Sequence, residues 1–233
     1  MCMDHVHVDV KQRILTANDE VAGALRHDLQ HRGTLMINLV SSPGSGKTTL
    51  LEASIARLKG RLKMACLVGD VATEMDAGRV RDAGIPARQI LTGEACHLDA
   101  RQIHHELEHL GEAPLDILFV ENVGNLVCPA TFDLGEDFKV ALLSVTEGED
   151  KPFKYPAIFS RAATTVITKS DLLPHVNFDV ERVRKQVATL NPDATFLVAS
   201  STTGEGIDAW CDLLEDRLVS KRRAPAHDHA PAR

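Results

Sequence analysis

The sequence predicts an α/β fold, a doubly wound, mostly parallel sheet of about seven strands with helices on both faces. Three observations predict it. Strand-like apolar runs alternate with helical patterns along nearly the whole chain. The strands are continuously aliphatic, as in Ile117-Leu118-Phe119-Val120, which suits a sheet buried on both sides. One strand runs directly into a glycine-rich turn that opens a helix, from Asn38 to Thr49.

Taken in order, residues 9–31 carry Val10, Ile14, Leu15, Val21, Ala22, Leu25 and Leu29 at helical spacing, an amphipathic helix ended by Gly33. The segment 1–33 thus precedes a domain spanning 34–220. Apolar runs predict strands at 35–40, 64–68, 88–91, 115–120, 139–145, 164–168 and 195–199. Helical periodicity, such as Leu50, Leu51, Ile55 and Leu58, predicts helices at 47–58, 74–83, 98–110, 157–162, 179–190 and 206–219. The closing stretch 221–233, with Lys221-Arg222-Arg223, Pro225 and Pro231, is expected to be disordered. No internal repeat is evident.

Bulk properties narrow the function classes. A chain of 233 residues suits one α/β domain with short appendages, and a 44% hydrophobic content gives it a sizeable core. The net charge of −7 argues against a general binder of nucleic acid or anionic membrane. No apolar run approaches a membrane span, and Met1-Cys2-Met3-Asp4-His5 lacks the flank of a signal peptide, so a cytoplasmic location is expected. The five cysteines, Cys2, Cys66, Cys96, Cys128 and Cys211, are scattered, unlike a disulfide framework; each reads as a buried apolar residue or a thiolate ligand.

Ser42-Pro43-Gly44-Ser45-Gly46-Lys47-Thr48-Thr49 reads as a phosphate-binding loop. Backbone N–H groups from Gly44 to Thr49 can wrap an anionic phosphate at a helix N-terminus. Lys47 would reach the β- and γ-phosphates and the Thr48 hydroxyl would ligate Mg²⁺. Ser41 stands where glycine is usual, five residues before Gly46, so the loop is a variant. Glu121, ending a second strand, can hold Mg²⁺ through water, and Gly124 lets the backbone approach a γ-phosphate. Asp70 ends another strand and is a further metal-side candidate. The polar stretch Thr73-Glu74-Met75-Asp76-Ala77-Gly78-Arg79 suits a switch, with Asp76 approaching the metal or the attacking water. Thr168-Lys169-Ser170-Asp171 follows a strand. A carboxylate at Asp171 accepts both guanine N–H groups, which adenine lacks, and the Lys169 stem covers the base. Ser200 and Ser201 begin a loop whose backbone N–H can meet guanine O6. The nucleotide is therefore GTP or GDP. No arginine finger or positioned glutamine is evident, so intrinsic turnover is expected to be slow, roughly 10⁻⁴ to 10⁻² s⁻¹.

Cys96-His97 lies just before a predicted helix, and Cys128 lies four residues beyond Gly124. Thiolate and imidazole suit Ni²⁺ or Zn²⁺. Core cysteines beside a surface histidine are the alternative. Three ligands leave a tetrahedral ion one short, to be completed by water or a second subunit.

Together with Gly69-Asp70, Thr92-Gly93-Glu94-Ala95-Cys96-His97, Glu121-Asn122-Val123-Gly124-Asn125-Leu126-Val127-Cys128-Pro129 and Lys151-Pro152-Phe153-Lys154-Tyr155-Pro156, these motifs resemble the nickel-inserting GTPases of hydrogenase maturation, the HypB family, over about residues 10–218. The resemblance implies a GTP-dependent, metal-linked homodimer that helps load nickel into the [NiFe]-hydrogenase large subunit, with a HypA-type metallochaperone as partner. It implies Cys96, His97 and Cys128 as interface metal ligands, and places Lys151 and Lys154 near the nucleotide, within reach of the other subunit. Some members carry a cysteine-rich nickel motif or a histidine tract at the N-terminus; here there are only Cys2, His5 and His7, and in the tail His227 and His229 are expected to be solvated. A urease-type nickel GTPase is expected to carry Cys-Pro-His, whereas this chain has Cys128-Pro129-Ala130. A metal-independent GTPase switch is the remaining alternative.

Overall fold

The computed structural model describes residues 3–70, 75–93, 95–111 and 113–224, with side chains from residue 12 onward. Cys2, Thr73, Glu74, Glu94, His227 and His229, and the side chains of His5 and His7, lie outside the described residues.

Seven parallel strands form one sheet: β1 (Leu35–Ser41), β2 (Met64–Asp70), β3 (Ala87–Leu91), β4 (Ile117–Glu121), β5 (Phe138–Ser144), β6 (Thr164–Thr168) and β7 (Thr195–Val198). Their order is β3-β2-β4-β1-β5-β6-β7. The central strand β1 lies between β4 and β5, pairing Leu39 with Glu121 on one side and with Val140 on the other. The carboxyl ends of the central strands thus meet at one edge, where ligands of open α/β sheets bind.

Alternate residues of each strand feed opposite layers. Leu35, Ile37 and Leu39 pack with Cys66, Val68, Phe119 and Val140 under α2 (Lys47–Leu58), α3 (Met75–Ala83) and α8 (Ile207–Arg223). Trp210 of α8 is fully buried there and donates its indole N–H to Ser54 Oγ at 2.9 Å, satisfying both polar groups. On the other face, Met36, Leu67 and Leu118 pack under α1 (Met3–Arg32) and α4 (Ala100–Glu108). Val40, Leu143 and Ile167 pack under α6 (Pro156–Phe159) and α7 (Val180–Leu190). A short helix, α5 (Lys151–Lys154), precedes α6.

Three elements differ from the sequence expectation. α1 is longer than 9–31, and its second half belongs to the domain core: Leu25 and Leu29 are buried, and Arg26 makes a two-pronged ion pair with Asp133. α8 continues to Arg223, so the expected tail does not begin at Lys221. The physical reason is the Lys221 ammonium, 7% exposed as a residue and ion-paired with Asp137 at 2.7 Å. The helix expected at 157–162 is the shorter α6, which starts at Pro156 and ends at Phe159, and the separate turn α5 before it was not expected. Among the described residues, no helix is long and apolar enough to cross a membrane.

Candidate nucleotide and metal site

The phosphate loop follows β1 and opens α2. Gly44 and Gly46 hold φ of 74° and 92°, left-handed values that glycine adopts without the clash a Cβ brings. Lys47 Nζ donates to Ser41 Oγ at 3.1 Å, so the serine that replaces the usual glycine holds the lysine. Burial lowers the Lys47 pKa, opposed by the nearby carboxylates Glu121, Asp76, Glu147 and Asp70. Thr48 Oγ1 donates to Glu121 Oε1 at 2.9 Å.

Glu121 is 4% exposed, and its second oxygen is buried without a hydrogen-bond partner in the structure. Burial pushes its pKa up to about 7. An orphaned carboxylate oxygen beside a threonine hydroxyl, at the mouth of a phosphate loop, is a hard oxygen donor set that fits Mg²⁺. Asp70 ends β2 and is half-buried. Asp76 opens α3 and accepts from Arg79 at 3.3 Å. Both carboxylates act electrostatically on Lys47, so they border the same site.

Gly124 is packed on the loop itself: a Cβ there would lie 2.9 Å from Pro43 Cγ and 3.0 Å from its backbone N and Cα. The glycine that ends the Glu121 turn therefore abuts the phosphate loop directly. Thr168 Oγ1 donates to Ser45 O at 2.6 Å, and Lys169 Nζ donates to Gly44 O at 2.8 Å. Lys169 is the one non-glycine described residue with positive φ, 60°. That strained backbone turns the chain so that Asp171 meets Ser200, whose Oγ donates to Asp171 Oδ1 at 2.5 Å. Ser201 follows Ser200 at the start of that loop. Thr168 thus braces the phosphate loop through its hydroxyl.

Three contacts at the site were not drawn from the residue patterns. Lys151 Nζ donates to Ser42 Oγ at 3.0 Å, whereas Lys154 is exposed and paired with Asp150. Ser45 Oγ donates to Glu147 Oε1 at 2.5 Å, and Arg79 reaches Thr49 Oγ1 at 3.3 Å while forming an ion pair with Glu52. Glu147 sits in Glu147-Gly148-Glu149-Asp150, which reads as a solvated acidic turn, and nothing local marks it.

Cys96, His97 and Cys128 converge: one ligand atom from each lies within 4.8 Å of the others. Cys96 and His97 precede α4, whose N-terminus is set by a capping box between Asp99 and Gln102, so both are in loop conformation and can face one point. Cys128 opens a turn of 3-10 helix, Cys128–Ala130. The Cys96 and Cys128 sulfurs are in bonding contact with Cα atoms 6.3 Å apart, a pairing the scattered cysteines did not suggest. The other described cysteines, Cys66 and Cys211, are buried and free, with burial raising both thiol pKa values. The His97 ring lies against Phe132, 3.7 Å between centroids, and burial lowers its pKa, which favours the neutral imidazole a metal requires.

The two sites are joined by asparagines. Asn125 Nδ2 donates to Cys96 O at 3.3 Å while its Oδ1 accepts from Val127 N at 2.8 Å. Asn122 Oδ1 accepts from Leu98 N and Val123 N, and its Nδ2 donates to Asn38 Oδ1 on β1. The segment from Glu121 to Cys128 thus starts at the Glu121 carboxylate, abuts the phosphate loop at Gly124 and ends in the Cys96, His97 and Cys128 cluster.

Residues 35–198 match the family described as CobW/HypB/UreG, nucleotide-binding domain. The chain is 50% identical to the hydrogenase maturation factor HypB of Escherichia coli over 211 residues, 89% of this chain and 72% of that one. The crystal structure of HypB from Archaeoglobus fulgidus matches with a TM-score of 0.82 at 41% identity, covering 88% of this chain and 100% of that one. That of Helicobacter pylori HypB, in complex with nickel, matches with a TM-score of 0.84 at 36% identity, covering 92% and 99%. With its phosphate loop, its paired cysteines and these relatives, the chain belongs to the HypB family of hydrogenase maturation factors.

Proposed function

We propose that this protein is a GTP-hydrolysing metallochaperone that, with the Cys96–Cys128 pair reduced to two thiolates, carries nickel, or zinc, on Cys96, His97 and Cys128 and assists nickel insertion into the [NiFe]-hydrogenase large subunit. The observation that carries the reading is the physical link between the two sites, Gly124 on Pro43 and Asn125 on the Cys96 carbonyl, within one loop. A γ-phosphate that moves the Gly124 turn would also move Cys128, and so change how the triad holds its ion.

Thr48 and Glu121 would hold Mg²⁺, which would supply Lewis-acid stabilisation of charge on the transferring phosphate. Lys47 adds a buried ammonium at the β- and γ-phosphates, and the loop amides orient them for in-line attack by water. Asp171, held by Ser200, selects guanine. Cys96 and Cys128 are only half-buried, unlike Cys66 and Cys211, which favours a ligand role over that of core residues. Water or a ligand from a second subunit completes the ion's coordination, giving a releasable site, and a homodimer with a HypA-type partner is the assembly in which transfer occurs.

The test is a Ni²⁺ titration with GDP and with a non-hydrolysable GTP analogue, following thiolate-to-nickel absorption and molecular mass together. Absorption that needs Cys96 and changes with nucleotide supports the reading. No Cys96-dependent absorption in either state reduces the protein to a GTPase switch.

A further inference from the structure

The Cys96 and Cys128 sulfurs sit in two segments that the fold pins side by side. Asn125 Nδ2 donates to Cys96 O at 3.3 Å. On either side of Cys96, Thr92 Oγ1 donates to Ala95 O at 2.8 Å and Leu98 N donates to Asn122 Oδ1 at 3.3 Å. The Cys128 carbonyl accepts from Thr131 N at 3.1 Å and from Thr131 Oγ1 at 3.0 Å. The two Cα atoms, 6.3 Å apart, lie within the range a disulfide spans, so the bond closes without moving either backbone. Both residues are half-buried and within reach of a small reagent. Cys66 and Cys211 are buried, and burial pushes both thiol pKa values up, which keeps them protonated and inert.

The same two sulfurs serve two incompatible bonds. A borderline cation needs both as thiolates beside His97. A disulfide has no thiolate charge to give, so a chain with the bond closed offers the ion a single imidazole. Where thiols are kept reduced, a surface pair of this kind forms transiently and responds to redox state.

We infer, on the metal reading proposed above, that Cys96 and Cys128 form a reversible dithiol–disulfide switch, oxidised by a small disulfide such as glutathione disulfide, that excludes the metal when closed and is held open by the metal when loaded. One thiolate attacks a sulfur of glutathione disulfide and releases one glutathione thiolate. The second thiolate then attacks the protein sulfur of the mixed disulfide and releases the other. Two electrons pass from the cysteine pair to the glutathione S–S bond, and an ion held by the pair leaves as the divalent cation. An excess of reduced glutathione runs the exchange backwards and restores both ligands.

The test takes the full chain, reduced and metal-free, through glutathione buffers of increasing oxidation and follows by peptide mass the fraction of chains with Cys96 joined to Cys128. Zn²⁺ is the probe, because it has no redox chemistry of its own. With free Zn²⁺ buffered at about ten times its dissociation constant, the ratio of glutathione disulfide to the square of reduced glutathione at half-closure should rise about tenfold, since the ion binds only the open form. The closed protein should lose the Cys96-dependent zinc equivalent, and a phosphine reductant should restore it. A pair that stays reduced in every buffer, while the reduced protein takes zinc through Cys96, overturns the switch and leaves the metal reading intact. Closure together with no Cys96-dependent zinc binding by the reduced protein overturns the metal reading, and the competition with it. A half-closure point that zinc does not shift, although zinc binds through Cys96, means that the closed form still holds the ion, and overturns the switch.

Discussion

Thr48 and Glu121 meet at the mouth of the phosphate loop, the threonine hydroxyl donating to one carboxylate oxygen at 2.9 Å while the other is buried and unpaired. Burial pushes Glu121 up to about 7, against an ordinary 4.5. A carboxyl whose pKa is higher in the folded than in the unfolded chain makes the folded state bind more protons, so stability falls as pH rises from about 4.5 to about 7 and stays lower above that. Glu121→Gln keeps the acceptor for Thr48 and removes the titration. Without Mg²⁺, the variant should exceed wild type in stability by up to about 3 kcal/mol near pH 8, with the difference vanishing near pH 4.5. Urea denaturation across that range checks it; parallel pH profiles for the two proteins would show that Glu121 does not titrate as its burial requires.

Gly124→Ala tests the contact between the Glu121 turn and the phosphate loop. The added Cβ meets backbone atoms of Pro43 at 3.0 Å, which cannot rotate aside as a side-chain tip can. Overpacking of this kind costs about 1–3 kcal/mol, so GDP affinity should fall roughly 5- to 150-fold if the loop is what yields. Calorimetric titration with GDP reads this. A loss of thermal stability with affinity unchanged would mean that the turn moves instead and the loop does not feel it.

Lys47→Ala should reduce single-turnover GTP hydrolysis below detection, from a wild-type rate of roughly 10⁻⁴ to 10⁻² s⁻¹. The ammonium is buried and its alignment is fixed by Ser41, whereas Lys151 and Lys169 are held at other points of the loop, on Ser42 Oγ and Gly44 O. Hydrolysis that persists in a clean Lys47→Ala preparation overturns the assignment of this loop as the catalytic one.

Asp171→Asn should weaken GTP binding about 10²- to 10⁴-fold while leaving ATP binding unchanged, because the amide cannot accept two guanine N–H groups. The readout is the ratio of the two affinities. Equal losses for both nucleotides would mark Asp171 as a structural residue bound to Ser200, with no part in reading the base.

Much of this site was legible in the sequence, for a physical reason. Phosphate loops, strand-end carboxylates and the Thr168–Asp171 turn are local: the residues that act are neighbours in sequence, and the strand and helix periods fix which way they face. The seven strands were legible likewise, because a sheet buried on both faces writes continuous aliphatic runs such as Ile117–Val120. What escaped depends on contacts across the chain. Glu147 reaches Ser45 from 102 residues away, and Lys221 belongs to α8 because Asp137, 84 residues distant, neutralises it. Asn125 left a weak trace, a polar residue among Val123, Leu126 and Val127, but its partner Cys96 is invisible without the fold.

Asn125 is also where the proposed coupling between nucleotide and metal can be weakened without replacing a candidate ligand of either site. Its amide holds the Cys96 carbonyl and the Val127 N–H together, so it ties the loop before α4 to the turn that carries Cys128. Asn125→Ala leaves Cys96, His97, Cys128 and the phosphate loop intact. Coupling between sites is commonly worth 1–3 kcal/mol, a factor of about 5–150 in affinity. In wild type, nickel affinity should therefore differ by such a factor between GDP and a non-hydrolysable GTP analogue, and in Asn125→Ala the difference should shrink to about twofold or less. Linkage is reciprocal, so the effect of nickel on nucleotide affinity should shrink by the same factor. A variant that keeps the full nucleotide dependence would move the coupling to the Gly124–Pro43 contact, where Gly124→Ala should then abolish it.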